Sequence, residues 1–313
     1  GCGYQRTISF SSINLDEIGN KQNYIAKLDF DGNWIWANNM ATNFDDIQYP
    51  DFNIKSIQSD GKGDIYIVGN LKSESTTIGG TTLDTRFDGD SNPNPVLSGF
   101  ISKIDKNGTW QWAKNIDGSC TFHDIVVKSY DEVFVLGASN SESYCLLDSI
   151  QLNFAIDEKT VFISKINSQG QWNSAEKLAS SESIFQNPSI ELNNQKDLLI
   201  AASYQADVNF TGLNNTILSA SYPQHLTFIS EYNIESGELI WVSNIVGVER
   251  QINANGYAEN TVSIFGIDVD SQNNTYVSGY FSLGNNKNFN LFCLFSASRL
   301  GKRLIFLTAV TNL

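Results

Sequence analysis

Apolar and polar positions alternate in short runs along nearly the whole chain, and the runs come in pairs. YIAKL at 24–28 is followed by a charged turn and then by WIWANN at 34–39. Short runs rich in β-branched and aromatic residues, bounded by Asp, Asn and Gly, read as strands. Two such runs around a tight turn read as a hairpin. No apolar spacing of 3.6 residues persists beyond about two turns, the least that supports a helix. The expectation is an all-β protein.

The hairpins repeat. The first type reads NYIAKLDFDGNWIWANN at 23–39, GFISKIDKNGTWQWAKN at 99–115, VFISKINSQGQWNSAEK at 161–177 and TFISEYNIESGELIWVSN at 227–244. Its turn glycines, Gly32, Gly108, Gly170, Gly237 and more weakly Gly301, are spaced by 76, 62, 67 and 64 residues. That is longer than ankyrin or leucine-rich repeats, at about 20–35 residues, and suits a four-stranded unit. A second hairpin follows each time: IKSIQSDGKGDIYIVGN, DIVVKSYDEVFVLGAS, SIELNNQKDLLIAAS and FGIDVDSQNNTYVSGYF. A third element, TTIGGTTLDT, CLLDSIQLNF or VNFTGLNNTIL, closes the first three units, and TISFSSINL at 7–15 is of the same type.

A lone four-stranded sheet leaves its faces uncovered, whereas sheets stacked around an axis cover one another and keep only short edges. The expected fold is therefore a β-propeller of four-stranded blades, about five of them, in a single domain 1–313. The units are placed at 23–84, 99–153, 161–219 and 227–284, with a partial unit at 291–310. The N-terminal outer strand 7–15 is expected to complete the last blade and close the ring. The stretch 87–95, FDGDSNPNP, falls inside a unit and reads as a surface loop.

Composition narrows the function classes. The net charge is −14 with no Lys/Arg cluster, which argues against nucleic acid and anionic membrane as partners. No run of 18 apolar residues is present, so no transmembrane helix is expected. Abundant Asn, Ser and Thr with little Lys fit an extracellular or virion-exposed surface. Cys2, Cys120, Cys145 and Cys293 lack the paired spacing of a zinc site. Buried free thiols are favoured over a Cys120–Cys145 disulfide.

Candidate chemistry is sparse. Trp34, Trp36, Trp110, Trp112, Trp172 and Trp241 invite comparison with aromatic cages that bind sugars or quaternary amines. They stand two or four residues after the turn glycine, and residues two apart share a strand face. The preferred reading is structural packing between blades. His123 and His225 lie in different units without metal-spaced partners, and no GxSxG elbow points to a nucleophile. The carboxylate clusters are Asp29/Asp31, Asp45/Asp46, Asp88/Asp90 and Asp268/Asp270. Asp84, Asp88 and Asp90, with Asn92 nearby, are the best calcium candidates, since calcium prefers several oxygens on a flexible loop. The loop lacks an EF-hand pattern and a downstream bidentate Glu, so a solvated acidic loop is the favoured reading. No catalytic residue, metal or cofactor is expected.

YIAKLDFDGNWIWANN with IQSDGKGDIYIVGN, and FISKIDKNGTWQWAKN with VFVLGAS, resemble the SBBP-type β-propeller repeat family. Ser174 replaces the second Trp of the third unit, and Leu239 replaces the first Trp of the fourth. A weaker similarity links ESGELIW at 235–241 to quinoprotein-like propeller repeats. The SBBP resemblance implies bacterial secreted or surface proteins and no family-wide catalytic residues. The expected function is a non-catalytic scaffold with a protein or glycan partner at the cell surface. The alternative is a carbohydrate-binding or glycan-hydrolysing propeller with acids near its axis, whose separation would set the chemistry.

Overall fold

The computed structural model describes residues 7–16, 23–40, 51–73, 75–85, 87–88, 94–139, 144–155, 157–213, 216–220, 225–245 and 261–282. Their regular elements are all β-strands. Among the described residues no helix is long and apolar enough to cross a membrane.

The turns follow from side-chain chemistry. Asp105 opens the turn of the second Trp hairpin, and its Oδ1 accepts the backbone N–H of Asn107 at 2.9 Å and of Thr109 at 2.8 Å. Asn167 does the same for Gln169 and Gln171, at 3.1 and 2.9 Å. Asp60 caps Lys62 and Asp64, Asn193 caps Gln195 and Asp197, and Asp270 caps Gln272 and Asn274. Asp and Asn have side chains short enough to satisfy turn amides two and four residues on. That is why nearly every turn of the repeat begins with one or the other.

The strands assemble into small antiparallel sheets. One runs in the order Trp110–Asn115, Ser98–Ile104, Ile65–Lys72, Asp51–Ser59. Another runs Gln186–Leu192, Leu198–Tyr204, Leu226–Asn233, Glu238–Ile245. A six-stranded sheet follows the order Cys120–Ser129, Glu132–Ser139, Lys159–Ile166, Trp172–Ser181, Val208–Phe210, Ile217–Leu218. Tyr24–Leu28 with Trp34–Asn39, and Thr261–Val269 with Thr275–Ser282, form two-stranded sheets. The hydrogen-bonded group is thus framed one hairpin later than the sequence units. The second hairpin of one unit joins the Trp hairpin of the next.

Two of the third elements stand aside as ribbons, while the third, Val208–Phe210 with Ile217–Leu218, extends the six-stranded sheet. Ser75–Ile78 pairs with Thr81–Asp84, and Tyr144–Leu147 forms a ribbon with Ile150–Asn153. Residues 7–15, expected as one strand, are two: Thr7–Phe10 pairs with Ile13–Asp16.

A bulge recurs in the Trp hairpins. Leu28 faces Trp34 and Lys27 faces Trp36, so Ile35 is the extra residue. Ile104 faces Trp110 and Lys103 faces Trp112, which leaves out Gln111. Tyr232 faces Leu239 and Glu231 faces Trp241, which leaves out Ile240. Neighbouring residues of one strand point to opposite faces, and directly paired residues share a face. The bulge therefore puts Trp34 and Trp36 on opposite faces of their hairpin, and likewise Trp110 and Trp112. This corrects the same-face expectation, which holds only for a regular strand.

Two compact units are present. The first comprises Gly1–Val133, Tyr144–Gln151 and Lys165–Ser174, and the second Phe134–Ser143, Leu152–Ser164 and Ala175–Leu313. A core of the first joins Ile25, Met40, Phe52, Ile67, Leu71, Ile78, Leu83, Phe100 and Ile104. A core of the second joins Leu199, Ala201, Ile264, Ile267 and Val277, with Trp241 packed against it.

Cys120 and Cys145, both in the first unit, form a disulfide with Cα atoms 6.2 Å apart, which corrects the free-thiol expectation. The backbones of Asp117 and Leu146 bond reciprocally at 3.1 and 2.8 Å. That bridge brings the ribbon beside the start of the Cys120 strand. Cys2 and Cys293 lie outside the described residues.

Candidate functional site

The second tryptophan of a hairpin reaches the turn of the next Trp hairpin. Trp36 Nε1 donates to the Lys106 carbonyl at 3.1 Å, and Trp112 Nε1 donates to the Ser168 carbonyl at 3.0 Å. Each acceptor lies two residues before a turn glycine. Each indole ring then lies on that glycine: a Cβ placed at Gly108 or Gly170 would come within 2.9 Å of the tryptophan Cδ2. The first tryptophan works on the other face. Trp34 meets Phe10 edge-on at 4.8 Å, Trp110 packs on Gly79, and Trp172 lies 5.7 Å from Phe122.

The degenerate copies replace this contact with polar ones. Ser174 stands at the second-Trp position of the third unit. There a Cβ at Gly237 would instead meet the Tyr232 hydroxyl at 3.7 Å and Glu176 Oε2 at 3.8 Å. Tyr232 donates to Glu176 at 2.8 Å. Burial, and then the Glu176 carboxylate, hold the Tyr232 phenol above its ordinary range. Trp241 turns its indole N–H to Glu231, whose carboxylate also accepts from Asn193 Nδ2 at 2.9 Å.

Glu231 stands where the other units carry Lys27, Lys103 and Lys165. Lys103 is buried and pairs with Asp64 at 3.0 Å, its ammonium 5.0 Å from the Tyr66 ring. Burial works to lower the Lys103 pKa, but hydrogen bonds and charges from Asp64 and Tyr66 outweigh it and leave it raised. Lys165 pairs with Glu132 at 2.6 Å. Lysine 165 and Glu132 thus repeat the bridge between neighbouring strands that Lys103 makes with Asp64.

The candidate acids are dispersed. Asp29 accepts from Asn33 through both its backbone N–H, at 2.8 Å, and its side chain, at 3.0 Å, and these bonds lower its pKa. Asp270 is lowered in the same way by Asn274. Both are turn caps. Asp84 is exposed at the end of its ribbon, where its backbone carbonyl accepts Asn115 Nδ2 at 2.8 Å. Asp88 contributes a backbone pairing with Asn94. Asp45, Asp46, Asp90 and Asn92 lie outside the described residues. Among the described residues, no three His, Cys, Asp or Glu side chains are grouped to hold a metal ion.

The histidines remain apart. His123 meets Thr121 Oγ1 at 3.0 Å, and burial, with Lys55 second, lowers its pKa to about 4. His225 contacts Gln205 Nε2, and burial lowers its pKa as well.

The feature that sequence reading passed over is the first Trp hairpin. Tyr24, Leu28, Phe30, Trp34 and Ile35 are all exposed, and Ile8 of the adjoining ribbon is exposed with them. No other hairpin carries so many exposed large apolar side chains among the described residues. The signal was in the composition of that hairpin, but the counterparts of Tyr24 and Leu28 in the second unit, Phe100 and Ile104, are core. Compared with known protein-family models and with curated proteins, the chain has no match.

Proposed function

We propose that the chain is a non-catalytic β-propeller scaffold that presents its surface to protein or glycan partners outside the cell, at a cell surface or on a particle. About five blades make up the ring, and the N-terminal segment closes it. The carrying observation is how the repeated polar chemistry is used. Indole N–H groups bond turn carbonyls, Asx carboxylates and amides cap turns, and a buried and a half-buried lysine pair with acids at the start of the neighbouring strand. The caps fix each turn, and the indole bonds and ion pairs hold one hairpin against another.

Other observations support parts of this reading. Two four-stranded sheets and one six-stranded sheet, with the hairpins 24–39 and 261–282, suit about five blades. Disulfides persist in oxidising compartments, so the Cys120–Cys145 bond favours a location outside the cytosol. The resemblance to SBBP-type repeats favours a bacterial secreted or surface protein.

The test is a glycan panel scored for both binding and release of new reducing ends. The scaffold reading expects no cleavage. Turnover of any glycan would replace it with the hydrolytic alternative.

A further inference from the structure

In three of the four Trp hairpins the first strand is paired on both edges. Ser98–Ile104 lies between the Trp110 strand and Ile65–Lys72. Leu226–Asn233 lies between the Trp241 strand and Leu198–Tyr204, and Lys159–Ile166 is also internal to its sheet. Tyr24–Leu28 pairs only with Trp34–Asn39 among the described residues. The Met40 N–H donates to the Asn23 carbonyl at 2.8 Å, which makes Asn23, Ile25 and Lys27 the positions bonded to the Trp strand. By antiparallel alternation, the N–H and C=O groups of Tyr24, Ala26 and Leu28 point outward.

The side chains tell the same story. Tyr24 and Leu28 are 48% and 47% exposed, whereas their counterparts Phe100 and Ile104 are each 0% exposed. The strand that covers those counterparts has a consistent chemistry. Phe100 faces Gly69 and Ile104 faces Ile65; Phe228 faces Ala202 and Tyr232 faces Leu198. The residue opposite the aromatic is small: a Cβ at Gly69 would be 2.2 Å from the Asn53 carbonyl oxygen and 2.7 Å from Phe100 Cε1. An acid near the start of the covering strand meets the lysine of the covered one, Asp64 with Lys103 and Glu132 with Lys165.

We propose that the Tyr24–Leu28 edge is a docking site for an extended segment of a partner polypeptide, added antiparallel as one more strand. The partner carries a small residue opposite Tyr24, a large apolar residue opposite Leu28, and an acid near its start to meet Lys27. Main-chain bonds supply affinity and the alternate side chains supply selectivity. This inference rests on the scaffold reading and names where its protein partner binds.

The probe is a fluorescent peptide with the sequence of Asp64–Lys72, DIYIVGNLK, titrated into the full chain and read by anisotropy. Saturable binding is expected. Ala26→Pro, which removes an outward N–H at a position where an edge strand accepts proline, weakens binding roughly tenfold or more while the circular dichroism spectrum is unchanged. A peptide with leucine in place of its glycine loses binding, and this arm needs no protein variant. Absence of peptide binding overturns the proposal, whether the edge is empty or taken by the chain itself, and so does equal binding of the leucine peptide. Either result leaves the scaffold reading standing, which only glycan cleavage overturns.

Discussion

Trp112 lies flat enough on Gly170 that a single added carbon at residue 170 would sit 2.9 Å from the indole Cδ2. Gly170 also has φ at +79°, where a side chain is strained whatever the space around it. The glycine thus serves two demands at once. It lets the turn close, and it lets the preceding hairpin's tryptophan reach the Ser168 carbonyl.

These two demands can be separated. Gly32 has φ at +85° but no atom within 4 Å of its would-be Cβ. Gly32→Ala should cost about 1–2 kcal/mol, the left-handed backbone penalty alone. Gly170→Ala should cost that plus about 1–3 kcal/mol of overpacking. Urea midpoints at constant slope measure the difference. Equal losses for the two variants would mean that the indole contact is slack.

The buried lysine gives an asymmetric expectation. Removing one partner leaves the other charge uncompensated, at a cost that grows with that charge's burial, and the Lys103 side chain is 9% exposed against 24% for Asp64. Asp64→Asn should therefore destabilise by about 2–4 kcal/mol, and Lys103→Met by about 1 kcal/mol or less. Chemical denaturation of both single variants and the double variant checks this. A larger loss for Lys103→Met would reverse the account.

The disulfide closes a loop with a sequence separation of 25 residues. A loop of that length restrains the unfolded chain by about 3 kcal/mol. Reductant should lower the melting temperature, and Cys120→Ala with Cys145→Ala should reproduce the shift. Under non-reducing denaturation, alkylation followed by peptide mapping should leave Cys120 and Cys145 unlabelled. Labelling of both would remove the bond and, with it, the compartment argument.

His123 predicts a pH window. Its folded pKa of about 4 lies below the ordinary 6.5, so the unfolded chain binds the extra proton first as pH falls. Stability is then full above pH 6.5 and declines between 6.5 and about 4, by on the order of 2 kcal/mol once partial exposure is allowed for. His225 acts in the same direction. The lowered carboxylates, Asp131 held by Ser168 and Glu132 by Lys165, act later. Their contribution is complete above the ordinary values of 3.8 and 4.5 and fades as pH falls below them. His123→Gln should flatten the melting profile between pH 6.5 and 4 and leave the more acidic limb intact.

Local chemistry was enough for a large part of the architecture. Asx residues followed by glycine dictate hairpin turns through bonds that span two to four residues, so the turns at 60–64, 105–109 and 167–171 follow from reading along the chain. Alternation of apolar and polar residues does the same for the strands, which carry their pattern within themselves. The likeness of the copies even made the substitutions at Ser174 and Leu239 stand out.

Everything that depends on a neighbour was decided by tertiary structure. Several apolar strands of equal β character compete for each edge, and backbone hydrogen bonds do not distinguish among them. The chain path settles that Ile65–Lys72 joins Ser98–Ile104 across a ribbon. One extra residue, Ile35 or Gln111, is invisible in the alternation yet turns paired tryptophans to opposite faces. Cys120 finds Cys145 because the backbone bridge at Asp117 and Leu146 brings their strands together. The same logic separates Tyr24 from Phe100: the residues are alike in kind, and Phe100 is core because a strand lies alongside it, whereas among the described residues none pairs with the outer edge at Tyr24.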